Sequence, residues 1–171
     1  RVISVHKNIL VISDEIYEYI NFGEKHFSIG AIESLAGRVA TVNGMAKGFA
    51  MTGWRLGYMG GPAWLVAACS KLQGQVTSGA NAFGQKAAAQ ALLADLGPTI
   101  KMKEAFAKRR ELVISLFNDI PGITCNNPKG AFYVFPDMSE YFGKSDGHIT
   151  IDNSEEFCEA ILENTHVALV P

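Results

Sequence analysis

Asn8-Ile9-Leu10-Val11-Ile12-Ser13 and Arg38-Val39-Ala40-Thr41-Val42-Asn43 are the stretches whose reading decides the fold. Each is a short β-branched run of the kind that parallel sheets bury on both faces. Between them, the segment from Phe27 to Ala36 has room for a short helix. Strand, crossover and strand in that order predict a parallel pair with its loops at one common edge. A third run, Trp54-Arg55-Leu56-Gly57-Tyr58-Met59-Gly60, follows too soon for another crossover. It predicts an antiparallel neighbour, stopped by Gly60-Gly61-Pro62.

Helical periodicity takes over downstream. Ala63 to Leu72 and Phe83 to Leu96 read as two helices, separated by the polar stretch Gly74-Gln75-Val76-Thr77-Ser78-Gly79. Gly97-Pro98 sets a new start, because proline suits a first helical turn. The helix that follows places Met102, Phe106, Val113, Leu116, Phe117 and Ile120 on one apolar stripe and ends at Pro121-Gly122. Beyond it the composition changes. Strands are expected near Ile123-Thr124-Cys125 and Gly130-Ala131-Phe132-Tyr133-Val134-Phe135, then a polar loop through Gly147. An N-capped helix from Ser154 and a last strand, Val167-Ala168-Leu169-Val170, complete the run. The first seven residues read as the end of an amphipathic helix. Two parallel strands with one antiparallel neighbour are few for a finished doubly wound core. The expectation is therefore a piece of a longer protein.

Composition narrows the classes. The 171 residues carry 15 basic and 17 acidic side chains, 48% hydrophobic residues and a formal charge of -2, which is globular rather than disordered. No apolar run reaches the ~20 residues of a membrane-spanning helix, and the N-terminus lacks the features of a signal peptide. A charge near zero without basic blocks argues against nucleic-acid binding. Cys69, Cys125 and Cys158 are odd in number and far apart, and the four histidines show no metal-ligand spacing, so neither a disulfide framework nor a metal site is expected. A reducing cytoplasm is the plain reading.

The chemistry gathers at one edge. Asp14 and Tyr17 follow the first strand and Lys47 follows the second, so a parallel pair brings all three to the carboxyl edge, where open α/β sheets bind ligands. Arg55 lies eight residues past Lys47, across a Gly53 turn that brings it back toward that edge. Each has a plainer reading: Asp14 and Tyr17 as turn formers, Lys47 as a solvated surface group, Arg55 as a partner of a carboxylate.

The order of these groups, with the text around them, resembles the pyridoxal-phosphate (PLP) dependent aminotransferases of fold type I, in the branch of aspartate and aspartate/prephenate aminotransferases. The residues that carry it are Val11-Ile12-Ser13-Asp14-Glu15-Ile16-Tyr17 and the segment from Asn43-Gly44-Met45-Ala46-Lys47 through Gly53-Trp54-Arg55-Leu56-Gly57-Tyr58. Weaker support comes from Gln75-Val76-Thr77-Ser78-Gly79-Ala80, Pro128-Lys129-Gly130-Ala131-Phe132-Tyr133 and Val167-Ala168-Leu169-Val170-Pro171. The resemblance implies an α/β fold holding part of a large-domain sheet and part of a small α+β domain. Its boundaries are 1–96 for the end of the PLP-binding domain, 97–120 for a linking helix and 121–171 for a partial small domain.

The same resemblance implies the roles. Lys47 matches the lysine that forms the Schiff base and shuttles the proton at the substrate Cα. Asp14 matches the carboxylate on the pyridine nitrogen, Tyr17 the phenol on the 3'-oxygen, and Arg55 the guanidinium on the phosphate. It implies transamination between an amino acid, aspartate by the branch, and a 2-oxo acid such as 2-oxoglutarate, by a homodimer when full-length. Thr77-Ser78-Gly79-Ala80-Asn81 resembles the segment that reaches the partner subunit's site. Two departures stand out: Gly44 and Ala46 occupy positions where many relatives carry serine. The family's phosphate loop would lie upstream of Arg1 and its α-carboxylate arginine downstream of Pro171, so residues 1–171 alone are expected to be inactive. Two other readings stay open, a fold-type I carbon–sulfur lyase and a truncated folding or dimerisation unit.

Overall fold

In a computed structural model of the chain, residues 2–145 and 147–171 are described. The chain divides into two compact units, Arg1–Ala107 with Lys129–Ala131, and Lys108–Pro128 with Phe132–Pro171.

The first unit is built on a three-stranded sheet, β1 (Val11–Asp14), β2 (Val39–Gly44) and β3 (Gly57–Gly60), in that order. β1 and β2 run parallel from Val11 opposite Val39 to Asp14 opposite Val42. β3 returns antiparallel on β2, with Asn43 opposite Tyr58 and Gly44 opposite Gly57. Both pairings match the order expected from the β-branched runs. β2 is the buried centre: Val39 and Ala40 are almost sealed from solvent, and Met45 just past its end is equally so. Ile20, Leu35 and Leu56 complete this core. Burying the Val, Ile, Leu and Met side chains among them stabilises by about 1.5–3 kcal/mol each.

The crossover is not the helix expected between Phe27 and Ala36. It is two 3-10 turns, Ile29–Ala31 and Glu33–Arg38, the first capped by Ser28 Oγ on the Gly30 N–H. Helix α1 (Val2–Val5) precedes β1, and Arg38 holds its trailing carbonyls. The guanidinium donates to Ile3 O at 3.0 Å and His6 O at 2.8 Å, acceptors that the helix end leaves open, and to Ile9 O at 3.3 Å in the chain leading to β1.

Three helices follow, α2 (Ala63–Val76), α3 (Ala82–Leu93) and α4 (Gly97–Asn118). α2 runs straight through Gly74 and Gln75 to Val76, beyond the helix end expected at Leu72. An exposed glycine costs a helix only about 1 kcal/mol, and the Thr77 N–H closes the last turn on Gln73 O. α3 starts from Asn81, whose Oδ1 accepts the Gly84 N–H at 2.6 Å. At the start of α4, Asp95 Oδ2 takes the Gly97 N–H at 2.9 Å. Along the expected stripe of α4, Met102, Phe106, Val113 and Phe117 are half-buried, while Leu116 and Ile120 are exposed.

The second unit has little ladder. Its strands are two-residue pairs: β4 (Thr124–Cys125) with β5 (Pro136–Asp137), and β6 (Lys144–Ser145) with β7 (Thr150–Ile151), both antiparallel. Helix α5 (Ser154–Thr165) starts from Asn153, whose side chain accepts the Glu156 N–H, while the Glu156 carboxylate accepts the Asp152 N–H. Two expected strands are absent. Within Gly130–Phe135 the chain makes one bridge, Gly130 to Asn21, then turns through Ala131 in the left-handed region (φ 60), so no ladder propagates. Val167–Val170 is extended chain with no strand partner among the described residues, and apolar β-branched composition alone does not make a strand.

Candidate active site

Strand direction places every expected site residue at one end of the sheet. β1 and β2 finish there and β3 begins there, so the loops after Asp14 and Gly44 meet the loop that leads into Gly57.

Asp14 is the last residue of β1 and is exposed. Its Oδ1 accepts the Ile16 N–H at 3.1 Å, an Asx turn that bends the chain off the strand. The Glu15 N–H donates to Val42 O at 2.8 Å and carries the parallel ladder one residue further. Two i→i+3 bonds, Glu18 N–H to Glu15 O and Ile20 N–H to Tyr17 O, wind the turn that presents Tyr17.

Lys47 lies in the loop after β2, half-buried, with its Nζ 5.7 Å from the centre of the Tyr17 ring. That is within the range in which an ammonium is attracted to an aromatic face. The loop around Lys47 is knotted. Met45 N–H donates to Leu56 O, Met51 N–H to Met45 O and Ala50 N–H to Lys47 O, and Thr52 Oγ1 donates to Ala46 O. Thr99, buried at the start of α4, donates its hydroxyl to Gly48 O at 2.9 Å. Tyr19 lies so close over Gly48 that a Cβ there would come within 2.6 Å of its ring. Phe49 meets the same ring edge-on at 5.3 Å. Burial pushes the Tyr19 phenol up from its ordinary pKa, and the neighbouring Glu18 charge adds to that.

Arg55 differs from its expected setting. It precedes β3 rather than lying in it, because Thr52–Trp54 forms a 3-10 turn capped by Arg55 in the left-handed region (φ 54, ψ 51). Its Nη1 donates to Thr52 O at 3.0 Å and the side chain is exposed. A left-handed arginine is uncommon, and here a turn of chain fixes it beside the Lys47 loop. Nearby, Asn81 Nδ2 donates to Trp54 O at 3.3 Å, so the residue that caps α3 also steadies this turn. Thr77–Asn81 is exposed, with Ser78 and Gly79 at positive φ.

Sequence reasoning missed Glu15 as a structural centre. Its carboxylate is buried and accepts three hydrogen bonds: Ser13 Oγ at 3.0 Å and Ser28 Oγ at 2.9 Å on Oε1, and His26 Nε2 at 2.8 Å on Oε2. Burial works to raise its pKa, but the bonds from His26, Ser28 and Ser13 outweigh it and hold the carboxyl below the ordinary range. The available signal was an acid inside Ser13-Asp14-Glu15-Ile16-Tyr17 with a histidine and a serine shortly downstream.

The chain matches the family Aminotransferase class I and II over residues 2–171. It belongs to that family. It is 45% identical to a bifunctional aspartate aminotransferase and glutamate/aspartate-prephenate aminotransferase from Petunia hybrida, over 100% of this chain and 37% of that protein. To an aspartate/prephenate aminotransferase from Cereibacter sphaeroides it is 42% identical, over 99% of this chain and 43% of that protein. Its structure superposes on the crystal structure of the aspartate aminotransferase from Rhizobium meliloti with a TM-score of 0.93 at 37% identity, covering 99% of this chain and 43% of that one. The chain thus spans about two-fifths of the length of the aminotransferases it matches. The α/β fold of fold type I expected from the sequence is the fold observed. Among the described residues no helix is long and apolar enough to cross a membrane.

An aminotransferase of this family uses PLP, and the donor set at this sheet end fits that group. An amine, a carboxylate, a phenol and a guanidinium complement in turn an aldehyde, a ring nitrogen, a phenolic oxygen and a phosphate.

Proposed function

We propose that the chain is part of a PLP-dependent aminotransferase that moves an amino group between aspartate and 2-oxoglutarate. The observation that carries this reading is the half-buried Lys47 amine over the face of Tyr17, at the same sheet end as Asp14. The names of the relatives support the reaction class and point to aspartate as donor. The roles assigned here are Lys47 as the catalytic amine and Asp14, Tyr17, Lys47 and Arg55 as the cofactor's holders.

Lys47 Nζ would hold the cofactor's aldehyde and is the base that would move the proton at the substrate Cα. When bound, PLP supplies an electron sink for the pair left at that carbon. Asp14 would hold the proton on the ring nitrogen, where the carboxylate charge favours the cationic form. Tyr17 would donate its hydroxyl hydrogen to the 3'-oxygen. Arg55 would bind phosphate with its planar fork.

The free thiols of Cys69, Cys125 and Cys158 suit a reducing cytoplasm, where we place the reaction. Homodimerisation through a surface that includes Thr77–Asn81 belongs to the same reading. The test is made on protein of the relatives' length that carries this chain. With PLP, aspartate and 2-oxoglutarate, oxaloacetate and glutamate should appear in equal amounts without ammonia. A cysteine thioether such as cystathionine, given in place of aspartate, that is split into a thiol, pyruvate and ammonia, with no amine transferred from aspartate, would mean lyase chemistry and overturn the proposal.

A further inference from the structure

Glu15 lies in the sequence between Asp14 and Tyr17, the two groups assigned to the cofactor's ring. We propose that Glu15 is a positioning residue, whose carboxylate, clamped by Ser13, Ser28 and His26, fixes the turn that holds Asp14 and Tyr17 in place. The proposal rests on the reading of Asp14 and Tyr17 as cofactor contacts.

The geometry argues for it in three steps. A buried carboxylate is costly unless its lone pairs are met, and here two hydroxyls meet Oε1 and an imidazole meets Oε2. An ionised carboxylate accepts and cannot donate, so both hydroxyls and the His26 Nε2–H point at it, which selects the ring state of His26. Secondly, the three donors come from both sides of the turn. Ser13 lies in β1, just before Asp14, whereas His26 and Ser28 come from the segment leading into the crossover. The clamp ties the end of the strand to the chain that leaves the turn. Thirdly, the main chain of Glu15 is bonded to Val42 of β2, the strand that leads to Lys47. Side chain and backbone of one residue therefore fix the stretch from Asp14 to Tyr17 relative to the Lys47 loop. Displacements of about 1 Å in such groups cost on the order of 100-fold in rate, which is the reason to fix them.

The experiment uses protein of the relatives' length carrying Glu15→Ala, Glu15→Gln, His26→Ala or Ser28→Ala. Amide hydrogen exchange of residues 14–20 is followed without cofactor, and PLP affinity by absorbance titration. Glu15→Ala should speed exchange over 14–20 by about tenfold, leave α4 unchanged, and weaken PLP by about tenfold. Glu15→Gln should recover both to within about threefold, since its carbonyl oxygen still accepts the two hydroxyls. His26→Ala and Ser28→Ala each remove one donor and should give intermediate changes, and they decide the matter if Glu15→Ala does not fold. Unchanged exchange over 14–20 in these variants overturns the proposal, as does a rise spread equally over the chain. A wild-type protein that binds no PLP would instead overturn the functional reading, while the exchange measurement would still judge the clamp.

Discussion

The loop cluster at the sheet end and the second unit are made of similar residues held in different ways. Around Lys47 the loop is bonded within itself and tied to its surroundings through Thr99 to Gly48, Met45 to Leu56 and Asn81 to Trp54. In the second unit the ladders are two residues long, and Phe135 and Val170 stand largely in solvent. Both regions contain turns, aromatics and β-branched runs. What separates them, among the described residues, is the ties between loops in the one and the two-residue ladders of the other, and that sets how much a single substitution should matter.

The largest contrast should come from Lys47→Ala. In protein of the relatives' length we expect loss of nearly all transamination, at least the ~100–10,000-fold of a lost general acid–base group, together with loss of the lysine-bound cofactor's visible absorption. Near-normal turnover with that absorption kept would remove Lys47 from the site. Next come the two residues after β1. Asp14→Ala should depress the chemical step more than Tyr17→Phe, which removes one hydrogen bond of about 1–3 kcal/mol and shifts the pH profile. Steady-state kinetics across pH would show the reverse order if the two roles were misplaced.

Gly48→Ala probes the packing that holds the loop. The added methyl meets the Tyr19 ring, and a loss of about 1–3 kcal/mol in denaturant unfolding is expected. Its counterpart in the second unit is Asn153→Ala, which removes the cap of α5 and should cost about 1 kcal/mol. If the second cost exceeded the first, the contrast between the regions would be lost.

The smallest effect is set by pH. The Glu15 pKa lies lower in the folded chain than in the unfolded one, so at mildly acidic pH the unfolded state binds more protons and stability rises with pH. The contribution is full above the ordinary glutamate value of about 4.3 and fades as pH falls below it toward the folded value. Urea midpoints measured from pH 6 downward should fall less steeply in Glu15→Gln than in wild type.

The sequence made the sheet legible because two β-branched runs at crossover spacing, with a third too close for another crossover, leave one economical pairing. It made Asp14, Tyr17, Lys47 and Arg55 legible as neighbours for the same reason, since strand direction alone brings their loops together. Left-handed Arg55 was hidden, because its conformation depends on a 3-10 turn closed by Thr52 rather than on the residue itself. The Glu15 clamp was hidden because a contact with His26 and Ser28 depends on how an irregular segment folds back. Val167–Val170 misled in the opposite direction. It reads like the Val39-Ala40-Thr41-Val42 run of β2, yet strands are defined by partners, and composition does not supply one.

The clip formed by Lys129–Ala131 has a consequence for synthesis. Phe22 N–H donates to Lys129 O, Ala131 N–H donates to Ile20 O, and Lys129 pairs with Glu24. These contacts belong to the first unit, but their donors and acceptors leave the ribosome after the whole stretch Lys108–Pro128. At about 5–20 residues per second, those roughly 20 residues take about one to four seconds to make. For that interval the Ile20–Phe22 edge is translated and still waiting for its last neighbour. A nascent chain stalled before Lys129 should therefore be more easily cut near Gly23 by a protease than one stalled well beyond Ala131.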